Sequence, residues 1–554
     1  MKKRGIITLC VIVVVAAVVA GLMCFNPFGS RRKVAPITDL MVLYINGGQL
    51  VEKAAFERFL TPDNRRLIAA SQLTAVENRE VADYFALIAS NLDETGLSLS
   101  KPAYVYINGG LNENRDAVLV VEVHDAQKVD KLIDMLSKFN EELEMEAIEV
   151  LTMGNKRTFK YENYFVGYDD SRIVVAVSES GDGEALAATA LERPFSDLSV
   201  FGARDMGLYV DVDQVMALYE TRLNNTLVEY EYGASECEYD YEIEWYEDNI
   251  ASVKKSLARL GELRLKLGEE ASSVAGLTFE AGRVVADVEL MANEFSSDMF
   301  YPVNNNHLQC VSQEAIAVLN VGLNGKMVAD IAKEYITSDV ATAFNVNRNE
   351  FSFIIQLACD ALSSVNGDFT TALESIEGVN KRYRGVRISG VEVLAAADVK
   401  DRYIIDNVSQ FAAGFLKKDG DDKYSANLSK DLALYVGQGE GVCYAGLNTT
   451  YEALEDSAQN AAWAADVNNS LMYLLVDVEN VMNSSYVQFY YKELLNRTEP
   501  ECAALTSALI EDSDYLYLNV KNFSSMELAW VLNDKESNAL AQIVERVLPV
   551  VMEL

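Results

Sequence analysis

Histidine is almost missing from this chain: His124 and His307 are the two in 554 residues. A metal site built on several imidazoles is therefore out of reach for a single chain, and no HExxH motif occurs. A Ser-His-Asp or Cys-His site has only these two residues to draw on. Cys310 stands three residues after His307, so a Cys-His pair is conceivable. A loop histidine beside a buried, inert cysteine is the commoner reason for such spacing. His124 lies at a strand-to-helix junction in VEVHDAQKVD.

Other catalytic signatures are missing too. There is no GxSxG elbow and no Walker A loop. Gly437–Gly441 (GQGEG) has the wrong spacing for a phosphate loop and reads as a hairpin turn. Ser252-Val253-Lys254-Lys255 matches S-x-x-K, but neither SDN nor KTG accompanies it. Asn345, Asn347 and Asn349 start like a calcium loop, yet Glu350 replaces the required Gly and Gln356 the terminal Glu. The seven cysteines include no CxxC, which removes a zinc ribbon and a dense disulfide framework. The residues offer no cofactor site. Carboxylate pairs are a different matter: with 84 acids, sequence gives no means of choosing a general acid.

Positive charge is scarce. The net charge is −37, and six basic residues fall within the first 33. The remainder carries 41 basic and 84 acidic side chains, a net of −43. Such a surface repels phosphate backbones, so nucleic acid is not an expected partner.

One apolar run stands out. Gly5–Phe25 carries no charge for 21 residues, enough for a helix to cross a bilayer. It exceeds the core of a cleaved signal peptide, so a retained signal anchor is expected, with a basic flank, over residues 1–35. Lys2, Lys3 and Arg4 tie with Arg31, Arg32 and Lys33 across the span. The short tail and the N-terminal amine favour an N-terminus inside the cell. The expectation is a single-pass membrane protein with its large domain extracytoplasmic, in the periplasm. The alternative is a lipoprotein anchored at Cys24, although Met23 occupies the place of a small residue.

The rest has a globular composition and an internal repeat. VDVDQVM (Val210–Met216) returns as VDVENVM (Val476–Met482). LVVEVHDAQKVDKLIDML from Leu119 pairs with VEVLAAADVKDRYIIDNVSQF from Val391, which sets His124-Asp125 against Ala397-Asp398. MVLYINGGQLVEKA from Met41 pairs with AVLNVGLNGKMVADIA from Ala317. The fold class expected is α+β, in two related tandem halves over 36–300 and 301–554. Asp211, Asp213, Asp477 and Glu479 are expected as helix caps and first-turn acids. YINGG, at Tyr44–Gly48 and Tyr106–Gly110, is expected to make turns.

An antiparallel helical hairpin over 213–268 is expected as an insert in the first half. Tyr239, Ile243, Tyr246, Ile250, Val253, Leu257 and Leu260 keep heptad spacing. Gly233-Ala234-Ser235 is expected to turn, with Ser235 and Glu238 as a capping box. Glu229–Asp248 packs nine carboxylates, five tyrosines and one tryptophan into this hairpin. Tyr230, Tyr232, Glu236, Glu238, Asp240, Tyr241 and Trp245 are the candidate contacts for a partner with a basic surface.

The succession of VLYING, VEVHDAQKVDKLIDML, YFVGYDDSRIVVAVS and VDVDQVM units, then the set again, resembles the large uncharacterised Bacteroidales cell-envelope proteins grouped as a domain of unknown function. The resemblance covers most of residues 36–554. It implies an envelope location and lipoprotein-like anchoring, and brings no catalytic residues. The reading is a non-catalytic envelope binding or scaffold protein; the alternatives are a carboxylate-dependent glycan hydrolase and a periplasmic chaperone or assembly factor.

Overall fold

The computed structural model describes residues 34–553 apart from 56–57, 59–60, 74–75, 77, 110–115, 143–144, 146–147, 162, 179–180, 238, 269, 293–297, 336–347, 382–384 and 412–413. The apolar segment Gly5–Phe25 therefore lies outside the described residues, as do Asn345 and Asn347. Among the described residues no helix is long and apolar enough to cross a membrane. The chain divides into two units: one runs up to Phe295 and takes in Ser537–Glu545, the other holds Ser296–Glu536 and Arg546–Leu554.

In unit 1 a short parallel pair, Val34–Ala35 with Phe195–Ser196, stands apart, and the ten strands of the main sheet follow in chain order: β1 (Met41–Ile45), β2 (Ala103–Asn108), β3 (Asp116–Glu122), β4 (Leu151–Met153), β5 (Lys156–Tyr161), β6 (Tyr164–Tyr168), β7 (Arg172–Ser178), β8 (Met206–Asp211), β9 (Ser272–Glu280) and β10 (Arg283–Met291). All pair antiparallel, in the spatial order β10-β9-β8-β1-β2-β3-β7-β6-β5-β4. The helices are α1 (Gly47–Ala54), α2 (Pro62–Gln72), α3 (Arg79–Ser90), α4 (Ala126–Glu142), α5 (Gly183–Glu192), α6 (Val212–Glu236) and α7 (Asp240–Leu267).

Alternation along the strands gives the sheet two apolar faces. On one, Val42, Tyr44, Tyr104, Val118 and Val174 pack with Ala187 and Leu191 of α5 and with Phe201, which stacks on Tyr44 at 4.5 Å between centroids. On the other, Val121, Val166 and Tyr168 meet Tyr84 and Ile88 of α3 and Val129 and Ile133 of α4. Asp39 is buried beneath Arg193, which donates from both terminal nitrogens at 2.6 Å.

Unit 2 has β11 (Ala317–Asn324), β12 (Val365–Lys381), β13 (Gly385–Val399), β14 (Lys417–Gly420), β15 (Lys423–Ser429), β16 (Leu432–Gln438), β17 (Val442–Leu447), β18 (Met472–Asp477), β19 (Ser513–Asn522) and β20 (Ser525–Leu532). Their order, β20-β19-β18-β11-β12-β13-β17-β16-β15-β14, is that of unit 1 with ten added to each number. The helices are α8 (Gly325–Tyr335), α9 (Arg348–Ser364), α10 (Tyr403–Phe411), α11 (Val478–Asn483), α12 (Ser485–Arg497) and α13 (Pro500–Glu511), and α14 (Ala539–Glu553) follows the last strand. Mixed helices with large antiparallel sheets make the chain α+β, the class read from the sequence.

The two faces of unit 2 are unlike. Directly opposed residues in an antiparallel ladder share a face. Leu319, Leu474, Leu518 and Leu528 form one row across β11, β18, β19 and β20, beside rows from Val321 to Met526 and from Ala317 to Trp530. The opposite face is the buried side and is mixed: the row Asn320, Tyr473, Asn519 and Glu527 lies beside the row Val318, Leu475, Tyr517 and Ala529, which is at most 2% exposed.

Several expectations change. The ladder hydrogen bonds set His124 against Lys400, not Ala397. Val123 N donates to Ser171 O and His124 N to Gly96 O; Val399 N donates to Gly441 O and Lys400 N to Ser364 O. β13 is apolar on both faces from Val393 to Ala397, so its hydrophobic pattern could not fix a register. The first YINGG is not a turn with positive φ: Asn46 caps α1, and Gly47-Gly48 are its first residues. A side chain on Gly48 would come 2.9 Å from Ser100 O, so this glycine serves close packing. In the second copy Gly109 does have φ of 114°. Unit 2 also has helices, α11 to α13, between β18 and β19, so helices after the VDV strand are not peculiar to the first half.

Candidate functional site

Asp211 ends β8 and starts the hairpin. Its Oδ1 accepts from Gln214 N at 2.8 Å, as Asp477 accepts from Asn480 N at 2.8 Å before α11. Asp213 and Glu479 sit in the first turns of their helices. The hairpin base is fixed by Met216, Leu267 and Ala271 with Leu260 and Leu290, and by Arg264, which bridges Asp213 (2.8 Å) and Glu220 (3.3 Å). At 1.5 Å per residue the 25 residues of α6 and 28 of α7 span about 37 and about 42 Å. Ile243, Tyr246, Ile250, Val253, Leu257 and Leu260 lie on the half-buried seam; Tyr239 does not, being the exposed residue that precedes α7.

The turn sits later than the glycine suggested. Gly233, Ala234 and Ser235 belong to α6, and Ser235 Oγ donates to Tyr232 O at 2.7 Å inside it. Ser235 is not an N-cap, because α6 continues through Glu236 and Tyr239 is the N-cap of α7. A Cβ on Gly233 would lie 2.6 Å from the Tyr246 ring. That glycine lets the facing tyrosine approach and does not break the helix.

The candidate contacts divide between seam and surface. Tyr230 is half-buried, with its ring 5.8 Å from Trp245 and 6.1 Å from Tyr246, both edge-on. Tyr232, Tyr241 and Trp245 are 62%, 69% and 55% exposed. Glu236 closes α6 and accepts from the Tyr232 hydroxyl. Asp240 is the first residue of α7, and Glu238 lies outside the described residues. Sequence reasoning missed two members. Tyr239, 60% exposed, stacks on Tyr241 at 5.9 Å, and Glu242 accepts from the Tyr241 hydroxyl at 2.9 Å. Both were legible in the acidic-aromatic run, but the heptad count had assigned Tyr239 to the seam.

These hydroxyls bond to carboxylates, which hold the Tyr232 and Tyr241 phenols above their ordinary pKa. They remain protonated donors. The Cys237 thiol is raised by local desolvation and by Glu242 and Glu236, so it is a poor nucleophile. Chemically the tip offers aromatic faces among negative charges, a surface suited to Lys, Arg or another organic cation.

The other candidate, His307 with Cys310, lies in a buried 3-10 turn of unit 2. His307 Nδ1 is 2.8 Å from the Tyr451 hydroxyl, and Nε2 is 3.4 Å from Asp398 Oδ1, too long for a strong bond. Burial pushes the Cys310 thiol up, against a smaller lowering by Tyr451. For Asp398 burial raises the carboxyl, but His307 and the Asp368 N–H outweigh it and leave it below its ordinary value. A thiol held protonated is not an activated nucleophile, so the Cys-His arrangement acts as a buried brace. His124 is exposed beyond β3. Cys237, Cys310, Cys359, Cys443 and Cys502 are free thiols. Among the described residues no group of three or more His, Cys, Asp or Glu is placed to hold a metal ion.

No protein-family model matches this chain, and no curated protein matches it. Among solved structures, one described as "Structure of crystal form I of TP0453" aligns with 50% of this chain and 83% of its own at 10% identity. Its TM-score of 0.22 carries no argument about fold or function.

Proposed function

We propose that this chain is a membrane-anchored, non-catalytic binding protein of the cell envelope, and that the tip of the α6–α7 hairpin is its contact with a basic protein partner. One observation carries the reading: four aromatic side chains, Tyr232, Tyr239, Tyr241 and Trp245, stand more than half exposed in a run, Glu229–Asp248, that holds nine carboxylates and no Lys or Arg. Large exposed aromatics on a rigid helical arm are costly in water and useful at an interface. Charge of one sign around them selects a cationic partner and speeds its approach.

The anchor follows from Gly5–Phe25, which is apolar on every side and belongs in a bilayer. The large domain then faces outward from the cytoplasm. The common strand order of the two units supports their origin as tandem copies, as in the Bacteroidales envelope proteins that the sequence resembles.

The test is cross-linking in intact cells that make the protein. The full chain is compared with one in which Leu227–Ile250 is replaced by a short Gly-Ser turn, leaving Met216, Leu267 and the Arg264 bridges at the base. Envelope partners with basic surfaces, captured by the first and lost from the second, are the expected result. Cytosolic partners overturn the topology, and an unchanged set overturns the role of the hairpin.

A further inference from the structure

The outer side of α7 is exposed, and its charge changes sign partway along. Tyr241, Trp245, Asp248, Ser252, Lys255 and Arg259 follow at alternating four- and three-residue spacing, so they form one stripe on the helix. All six are exposed, whereas Ile243, Tyr246, Ile250, Val253 and Leu257 of the same helix are half-buried in the seam with α6. Residues 240–248 carry five carboxylates and no Lys or Arg. Residues 254–266 carry five bases and one acid, Glu262. Lys254 bridges to Glu231 of α6 at 3.1 Å, on the hairpin's own side, while Lys255 lies on the stripe. Leu263, four residues after Arg259, is 43% exposed.

We propose that this stripe pairs antiparallel with the same stripe of a second copy of the chain, the acidic, aromatic end of each α7 lying on the basic end of the other. The inference rests on the reading of the hairpin as the partner contact and names that partner. Local charge selects the occupant. A partner must set bases against the tip and acids against Lys255 and Arg259, and an antiparallel copy does both at once. A parallel copy would set acid on acid and base on base. A two-fold axis at Ser252 puts Trp245 opposite Arg259, each seven residues from it, and Tyr241 opposite Leu263, each eleven away. Asp248 then meets Lys255 within one residue of level. An indole face against a guanidinium is a favourable cation–π pair. Serine at the crossing is small enough to let the two helices come close. The chain's net charge of −37 opposes association. In about 0.1 M salt, however, charges more than about 10 Å away are largely screened, so the match along the stripe decides. The stripe is about 33 Å long and about 10 Å wide. That is well below the roughly 800 Å² per copy of a standard interface, so the pairing belongs to the weak, transient class.

The experiment makes two differently tagged forms of the full chain in the same intact cells, one with photo-reactive benzoylphenylalanine in place of Tyr241. The expected result is an adduct joining the two tags, mapped by mass spectrometry to the tryptic peptide 260–264 around Leu263. Positions 241 and 263 lie about 33 Å apart along one helix, so that adduct cannot form within a chain. Lys255→Glu in both forms should lower it about tenfold, because two carboxylates then face each other in both halves of the pair. Asp248→Lys together with Lys255→Glu in both forms should restore it. The two positions are seven residues apart on one helix and do not touch, so only a contact between copies predicts that rescue. Both are exposed and helicity should be kept; should Lys255→Glu lose it, Leu263→Asp repeats the test. An adduct elsewhere on the second copy, an adduct indifferent to Lys255→Glu, or a failed rescue overturns the proposal. An adduct with a different basic protein also overturns it and leaves the hairpin reading standing. No adduct at all overturns both.

Discussion

Asp39 and Arg193 show how single residues hold unit 1 together. The carboxylate is 1% exposed, receives two guanidinium bonds and a third from Asn108 Nδ2 at 2.9 Å, and Arg193 lies over the Tyr106 ring. Breaking a buried pair from one side strands the other charge, at about 3–5 kcal/mol. Asp39→Asn should therefore lower the urea midpoint of the unit 1 transition clearly, while the unit 2 transition stays put. Glu374 gives a prediction with a sign in pH. Burial raises its carboxyl, the Ser312 N–H and Thr449 lower it less, and Glu392 adds to the rise. A raised folded pKa favours folding fully below the ordinary value of 4.5, and that contribution is lost as pH climbs through the raised value. Glu374→Gln should melt above the parent at pH 7 and level with it near pH 4; an equal gap at both would show the charge is not the cause. Such partners were not legible in the sequence, because Asp39 and Arg193 are 154 residues apart and nothing local marks either.

At the scale of elements, much was legible where a local rule acted alone. The caps at Asp211 and Asp477 and the GQGEG turn between β16 and β17 rest on side chains within a few residues. Failures came where a distant contact decided. Gly233 looked like a helix breaker, but the Tyr246 ring fills the space of its missing Cβ. Gly48 looked like a turn, but Ser100 backs against it. Gly233→Ala should therefore displace Tyr246 and loosen the tip, despite the higher helix propensity of alanine. Faster amide exchange confined to the residues around 230–246 is the expected outcome; a uniformly more protected hairpin would contradict it. The candidate contacts were legible as a run of acids and aromatics, since an exposed arm keeps sequence neighbours together. Which of them face water was not, because heptad spacing cannot say where the seam ends.

For the whole molecule, two units with one strand order each expose a surface unlike an ordinary solvated one: an aromatic, acidic arm in unit 1 and an aliphatic sheet face in unit 2. An electrostatic contact with a basic partner is screened by salt. Capture of the hairpin partner should fall steeply between about 0.05 and about 0.5 M salt. The central claim is that the hairpin tip carries the partner contact. The most direct measurement is the in-cell cross-linking yield of a full chain bearing Tyr232→Ala, Tyr239→Ala, Tyr241→Ala and Trp245→Ala together, against the parent. These side chains are mostly exposed, so the helices should stay formed, which circular dichroism checks. A loss of at least tenfold in the basic envelope partner, with helicity kept, is the result predicted. Parental yield from a folded variant would contradict it.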